Sequence, residues 1–335
     1  MASEETDATP ATRRSIAPWL ALGVAVSAGA IVLAIRDIDL AEVGDAIEGA
    51  SMGLFLAGVV LILLSYPFLA LRWRSLATLL GPPGPGRMLE LVMIGAAVNN
   101  ALPARLGEVA RSLGLARTTR RPVLESFGTV VVDRVADAVL FTVLFGATVA
   151  VSPTPGWVRW VGVGGALITV AAVGLLVGVA FFTGRRGGPP PDRRWLRHVF
   201  ALAEGFRCVR STGAAVRALV LSVVAWAVWV AGAWLVGDAI GFRLSLTEVL
   251  MLVALLGLGS AVPSAPGFIG TYHWIAASAV GLFGVTRPDA LAYAVLLHAA
   301  WFIPTTVIGS LLMVRWGLGF AALRRVSLTS RTAEA

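Results

Sequence analysis

MLELVMIGAAVNNALPARLGEVARSLGLARTTRR, residues 88–121, decides the fold. Met88 to Leu102 is apolar, but at about 1.5 Å per helical residue it is too short to cross roughly 30 Å of hydrocarbon. It is interrupted at Asn99, Asn100 and Pro103. A second short helix is expected from Ala104 to about Ala116, running into Arg117, Arg120 and Arg121. Two short apolar pieces, with arginine at both outer ends and a polar break between them, read as a helical hairpin that enters a membrane and turns back.

The surrounding chain is membrane-like in composition. Of 335 residues, 57% are hydrophobic and only 14% charged, against about 25% charged for an ordinary globular protein. The mean hydropathy is +0.83. These values exclude a soluble enzyme and a disordered chain. The net charge of +8 comes with no basic stripe interleaved with aromatics, so no nucleic-acid partner is expected. All the basic residues are arginine, which reads as GC-rich codon usage. One cysteine, Cys208, and three scattered histidines give neither a disulfide nor a metal cluster. No cofactor, metal ligand or catalytic residue is expected.

Working outward, residues 1–17 form a polar tail, and Pro18 to Ile35 is a first span. That run is longer than a secretory signal core and is bracketed by Trp19 and Arg36. An acidic amphipathic connector (residues 36–51) leads to a span from Met52 to Leu71, closed by Arg72, Trp73 and Arg74. After the hairpin come spans from Pro122 to Ser152 and from Trp157 to Thr183. Residues 184–213 carry Arg185, Arg186, Arg193, Arg194, Arg197, Arg207 and Arg210, with an amphipathic piece near Trp195 to Arg210. A span from about Ala214 to Ile240, a second broken pair over residues 246–284 around PSAPGFIG, and a final span from Pro288 to Val314 follow. Residues 315–335 form a basic tail with Arg324, Arg325 and Arg331. Trp19, Trp73, Trp157, Trp160 and Trp316 read as interface anchors.

Arg-rich and Arg-poor connections alternate only if both short pairs are re-entrant. The expected fold is therefore an all-α polytopic membrane bundle of six full spans and two re-entrant hairpins, with both termini cytoplasmic. Span, connector, span, hairpin, span runs once through residues 18–152, with hairpin 88–116, and again upside down through residues 157–314. That is the inverted repeat of transporters, whose broken tips meet near the bilayer middle.

The hairpin and the next span place Asn99, Asn100, Arg105, Glu108, Arg111, Asp133, Arg134 and Asp137 in apolar surroundings. Each buried charge costs roughly 2.5–3.5 kcal/mol unless paired or wetted. Arg105, Glu108 and Arg111 share one helix face, as do Asp133 and Asp137, so two charged faces can meet. Three arginines and three acids then sum to zero. Two readings stand: a structural one, in which the charges form a closed ion-pair network or Arg105 and Arg111 snorkel to the cytoplasmic interface, and a wet cavity whose arginines bind a phosphate-bearing headgroup. Helix starts after Pro103 and after Pro266–Gly267 could add backbone donors for an anion, while Asn99, Asn100, Ser264 and Thr271 could equally satisfy the broken backbone. His273 and His298 are packing histidines or proton-coupling or headgroup contacts. Asp133 and Asp137 as metal ligands or base in a membrane-embedded transferase, and an accessory subunit of such an enzyme, are the alternatives to transport. No GxxxxGK[ST] loop is present, so movement would be downhill or ion-coupled.

NNALPARLGEVAR, VVDRVADAV, PSAPGFIGTYHW and HAAWFIPTTVIG, in this order and spacing, resemble the lysylphosphatidylglycerol synthase transmembrane region, a flippase-like membrane family. The similarity covers nearly all of residues 18–315. It implies a bacterial inner-membrane protein related to the part of multiple peptide resistance factors that moves aminoacylated phosphatidylglycerol between leaflets. The matching positions are Asn99, Pro103, Arg105, Gly107, Glu108, Arg111, Asp133, Arg134, Asp137, Pro263, Pro266, Gly267 and Gly270, the prolines and Gly107, Gly267 and Gly270 being the expected hairpin breakers. Many members carry a glutamate and an arginine where this chain has His273 and His298, which implies a different headgroup preference. The large soluble synthase domain has no segment here that could house it, so lipid synthesis is not expected. The implied partners are anionic or aminoacylated phospholipid or a polyprenyl-linked glycolipid, together with a lipid-modifying enzyme or glycosyltransferase.

Overall fold

A computed structural model describes residues 17–103, 105–152, 154–184, 194–241 and 243–317. Among them the secondary structure is helical: α1 Ala17–Ile35, α2 Leu40–Glu48, α3 Met52–Leu76, α4 Pro85–Ala101, α5 Leu106–Thr119, α6 Val123–Val151, α7 Gly156–Gly184, α8 Arg194–Gly205, α9 Thr212–Ile240, α10 Leu246–Gly259, α11 Thr271–Gly281 and α12 Arg287–Arg315, with three short 3₁₀ turns. Five of these helices (α3, α6, α7, α9, α12) are long and apolar enough to cross a bilayer, and a sixth crossing is reached if α1 and α2, bent by 83°, count as one. The polar and basic tails, Arg185, Arg186 and Arg193, and the side chains of Trp19 and Trp157 lie outside the described residues.

Local chemistry sets the element ends. Asp39 accepts the Ala41 N–H at 2.8 Å to start α2, and Ser245 with Glu248 forms a reciprocal capping box on α10. Proline at the first turn begins α4 and α12, where its missing N–H costs no hydrogen bond. Gly241, at φ 91°, ends α9 in the left-handed turn that an L side chain resists.

α3 and α9 run antiparallel along their length: Gly58 meets Val236, Ile62 meets Gly232 and Arg72 meets Ser222. A Cβ on Gly58 would come 2.9 Å from the Gly232 carbonyl oxygen, so small residues let the backbones touch and gain dispersion contact that lipid cannot supply. α4 lies antiparallel on α12, and α10 packs on α6 through Gly257 against the Phe141 ring. α5 folds back on α4 and rests on α6; α11 folds back on α10 and rests on α12. The amphipathic helices dock on spans, α2 on α12 and α8 on α6.

Trp73 departs from expectation. It is fully buried with Met88, Leu91, Leu115 and Val130 and donates to the Thr129 hydroxyl at 3.0 Å, so it is a core residue and not an interface anchor. Trp160 is exposed. Cys208, in the 3₁₀ turn Phe206–Arg210 after α8, is buried, and burial pushes its thiol up to about 12. A neutral buried thiol is a poor nucleophile. Iodoacetamide at pH 8 should label Cys208 roughly a thousandfold more slowly than a free thiol, and rapid labelling of the folded protein would show the turn open.

Candidate functional site

The site begins with a residue whose partners the sequence did not disclose. Arg72, one turn from the end of α3 and fully buried, donates from Nε to Asp133 Oδ1 at 2.8 Å and from Nη2 to Asp137 Oδ2 at 3.1 Å. Its Nη1 bonds Asp137 Oδ1 and also the Ser222 hydroxyl of α9. Asp133 Oδ2 accepts from Arg111 Nη1 at 3.0 Å and from Arg134 Nη2 at 3.1 Å. Asp137 receives Arg134 at 3.2 Å and Trp226 Nε1 of α9 at 2.9 Å. The expected meeting of the α5 and α6 charged faces is thus realised at Arg111–Asp133, while Asp137 turns to α3 and α9.

All four oxygens of Asp133 and Asp137 are engaged by donors. These carboxylates hold arginines in place, which leaves them poorly disposed to ligate metal or act as a base. The charge balance also changes with Arg72. Four guanidinium groups (Arg72, Arg105, Arg111, Arg134) face three carboxylates (Glu108, Asp133, Asp137) and leave one positive charge. Arg111 Nη2 and Arg134 Nε are buried without a hydrogen-bond partner. Arg134 is 40% exposed along its side chain and lies within electrostatic reach of Glu108 and Arg105.

The tips of the two helix pairs meet. A cavity of about 240 Å³ is lined by Asn99, Leu102, Pro103 and Arg105 from the first break and by residues 261–265 and Phe268 from the second. Arg105 donates across it to the Ser260 carbonyl and stacks over Phe268, 5.7 Å from the ring centre. Both residues have positive φ, 53° and 59°, where L side chains are strained by about 1–3 kcal/mol. Ser27 of α1 accepts the Ala265 N–H at 2.8 Å, tying the second tip to the first helix.

The asparagines divide their work. Asn99 Oδ1 accepts the Gly107 N–H at 2.7 Å, and its amide donates to Glu108 Oε2 at 2.8 Å. One backbone donor at the start of α5, expected to await an anion, is therefore already capped. Asn100 donates to the Thr305 and Thr306 hydroxyls of α12 at 3.1 and 2.8 Å and serves packing. Gly107, expected as a hairpin breaker, lies inside α5: it lets α5 touch α4, since a Cβ there would collide with the Gly95 carbonyl oxygen. The first break is made by Leu102, Pro103 and Arg105, and Pro263, Pro266, Gly267 and Gly270 fall in or beside the second, with Gly267 and Gly270 at φ 67° and 90°.

His273 and His298 stand behind the second tip. His298 Nε2 lies 2.9 Å from the Gly267 carbonyl oxygen, and His273 Nδ1 accepts the Gly270 N–H at 3.3 Å. Their rings are 4.7 Å apart, with Tyr272, Trp301 and Phe302 packed around His298. Both histidines brace the glycine turn.

Apolar membrane-crossing helices surrounding a buried, arginine-rich polar cluster define a multi-pass helical membrane protein with charge kept inside the bundle. A family model described as the lysylphosphatidylglycerol synthase TM region matches residues 20–309, and the chain belongs to that family. No curated protein matches it.

Proposed function

We propose that the protein is a lipid translocase that passes an anionic phospholipid or glycolipid headgroup between leaflets of the bacterial inner membrane through the space between the two hairpin tips. The observation that carries this reading is the unspent donor capacity of Arg134 Nε beside a net positive cluster; Arg111, whose Nη2 also lacks a hydrogen-bond partner, lies with its guanidinium over the Trp73 ring at 4.9 Å. A buried guanidinium N–H without a partner is costly, and phosphate oxygens match its planar fork. Arg105, Asn99 and the tip cavity complete a polar path while the acyl chains stay in lipid.

The packing supports a two-fold inverted repeat. Several first-half contacts have a counterpart six helices on: α4 on α12 pairs with α10 on α6, α2 on α12 with α8 on α6, and α3 with α9 relates the halves directly. α4–α5 and α10–α11 then act as re-entrant hairpins from opposite sides, with the Arg-rich ends and both termini cytoplasmic. A lipid-modifying enzyme or glycosyltransferase would supply the substrate.

Binding tests the headgroup assignment. Detergent-solubilised wild-type protein should bind short-chain phosphatidylglycerol, and Arg134→Gln should weaken binding by at least tenfold, since a charged hydrogen bond contributes about 1.5–3 kcal/mol. Equal binding by a folded Arg134→Gln protein would remove the guanidinium from the site.

A further inference from the structure

Outside the tip cavity, the bundle carries a second hollow at a seam where three helices meet. An apolar groove of about 300 Å³ opens sideways between α3, α4 and α12, walled by Leu63, Tyr66, Pro67, Leu89, Met93 and Leu312, with Gly86 on its edge. Glu90 lines its outer end and is flanked by two arginines, so the rim carries a net positive charge. The Glu90 carboxylate accepts Arg87 at 3.1 Å, Trp316 Nε1 at 2.8 Å and, more loosely, Arg315 at 3.6 Å, so two arginines face one acid. Arg87, half exposed, lies over the Trp316 ring at 4.3 Å, and Arg315 is exposed. At the inner wall the Tyr66 hydroxyl reaches Thr305 of α12 and lies within electrostatic range of Arg134.

In the corresponding seam of the other half, between α9, α10 and α6, aromatic rings are packed inside. Phe141 and Trp226 meet edge to face at 4.6 Å, and Gly257 closes onto the Phe141 ring. Aromatic rings thus pack into that seam, whereas the α3–α4–α12 seam holds a groove beside a positive rim. We propose that the α3–α4–α12 groove is the lateral opening that receives the acyl chains of an anionic phospholipid, with its phosphate drawn to Arg87 and Arg315 before passing Tyr66 toward Arg134. The rim charge selects the anionic lipid, because two guanidinium groups cannot both be neutralised by Glu90. The apolar walls suit acyl chains. This inference rests on the translocase reading for the direction of travel, though not for occupancy of the groove.

Gly86 supplies the test. A Cβ at Gly86 meets no atom within 4 Å, so Gly86→Phe can place a ring at the groove without displacing backbone; Gly53→Phe, at an equally open and exposed position on α3, is the control. In liposomes of equal phosphatidylglycerol and phosphatidylcholine, Leu89→p-benzoylphenylalanine should photocrosslink phosphatidylglycerol in at least threefold excess. The excess should vanish with Arg87→Gln plus Arg315→Gln, and capture should fall with Gly86→Phe. Equal capture of the two lipids, insensitive to these changes, would overturn the proposal. In transport, Gly86→Phe should slow movement of fluorescent phosphatidylglycerol at least tenfold while Gly53→Phe keeps the wild-type rate. A wild-type rate in Gly86→Phe would also overturn it. Excess capture of phosphatidylglycerol by the Leu89→p-benzoylphenylalanine protein, with no movement of it by wild-type protein, would sink the translocase reading while upholding the groove as an anionic-lipid site.

Discussion

Replacing Arg72 by methionine is expected to destabilise the folded protein by about 3–5 kcal/mol, the cost of leaving buried carboxylates without their counter-charge. Arg72 bonds both Asp133 and Asp137 and also reaches α9 through Ser222. Its loss leaves Asp137 with Trp226 and the half-exposed Arg134, and brings two carboxylates one helical turn apart into repulsion. Equilibrium unfolding in mixed micelles measures the loss. Adding Asp137→Asn to Arg72→Met should recover part of it, with a coupling energy of about 0.5–3 kcal/mol, because the second change removes the charge that the first stranded. Unchanged stability in Arg72→Met would mean that the network does not hold the bundle together.

Gly107→Val is expected to cost at least about 3 kcal/mol, the upper end of ordinary overpacking or beyond. A Cβ at this position runs into the Gly95 carbonyl oxygen and the Asn99 side chain, and the first of these is backbone that no rotamer change can clear. Separation of α5 from α4 would also break the Asn99 bonds to the Gly107 N–H and to Glu108, and so disturb the tip. Expression and thermal stability should therefore fall sharply. Gly178→Ala, on α7 with no atom within 4 Å of its Cβ, should change stability by no more than about 0.5 kcal/mol. A stable, monodisperse Gly107→Val protein would mean that α4 and α5 do not pack as a hairpin.

Hydropathy and arginine spacing made most helices legible, because a span must satisfy its own backbone in lipid and announces itself by length. The break at residues 99–105 was legible for the same reason: two adjacent asparagine amides followed by a proline leave polar groups that a lipid-facing helix must pair elsewhere. The Arg111–Asp133 pair could be anticipated from face spacing alone. Arg72 and Trp73 were not, since a charge and a tryptophan at a span's end look like interface residues. Their burial follows from α9 and α6 closing over them, a long-range pairing that no local period encodes. Ser222 and Trp226 were missed likewise, as polar atoms in an apolar span whose partners lie 150 and 89 residues away. The i, i+4 step from Ser222 to Trp226, which sets both on one face of α9, was the available signal. Gly107 could be recognised as a special position, but close approach rather than turning is what requires it.

The most direct measurement is leaflet accessibility of fluorescent lipids in proteoliposomes of the purified protein, comparing phosphatidylglycerol, its aminoacyl form, a polyprenyl-phosphate sugar and phosphatidylcholine, with Arg134→Gln alongside. Protein-dependent movement of a phosphate-bearing anionic or aminoacylated lipid or glycolipid, faster than phosphatidylcholine and lost in folded Arg134→Gln protein, is the expected result. Absence of movement for every lipid, or movement that Arg134→Gln leaves untouched, would contradict a translocase built on these arginines.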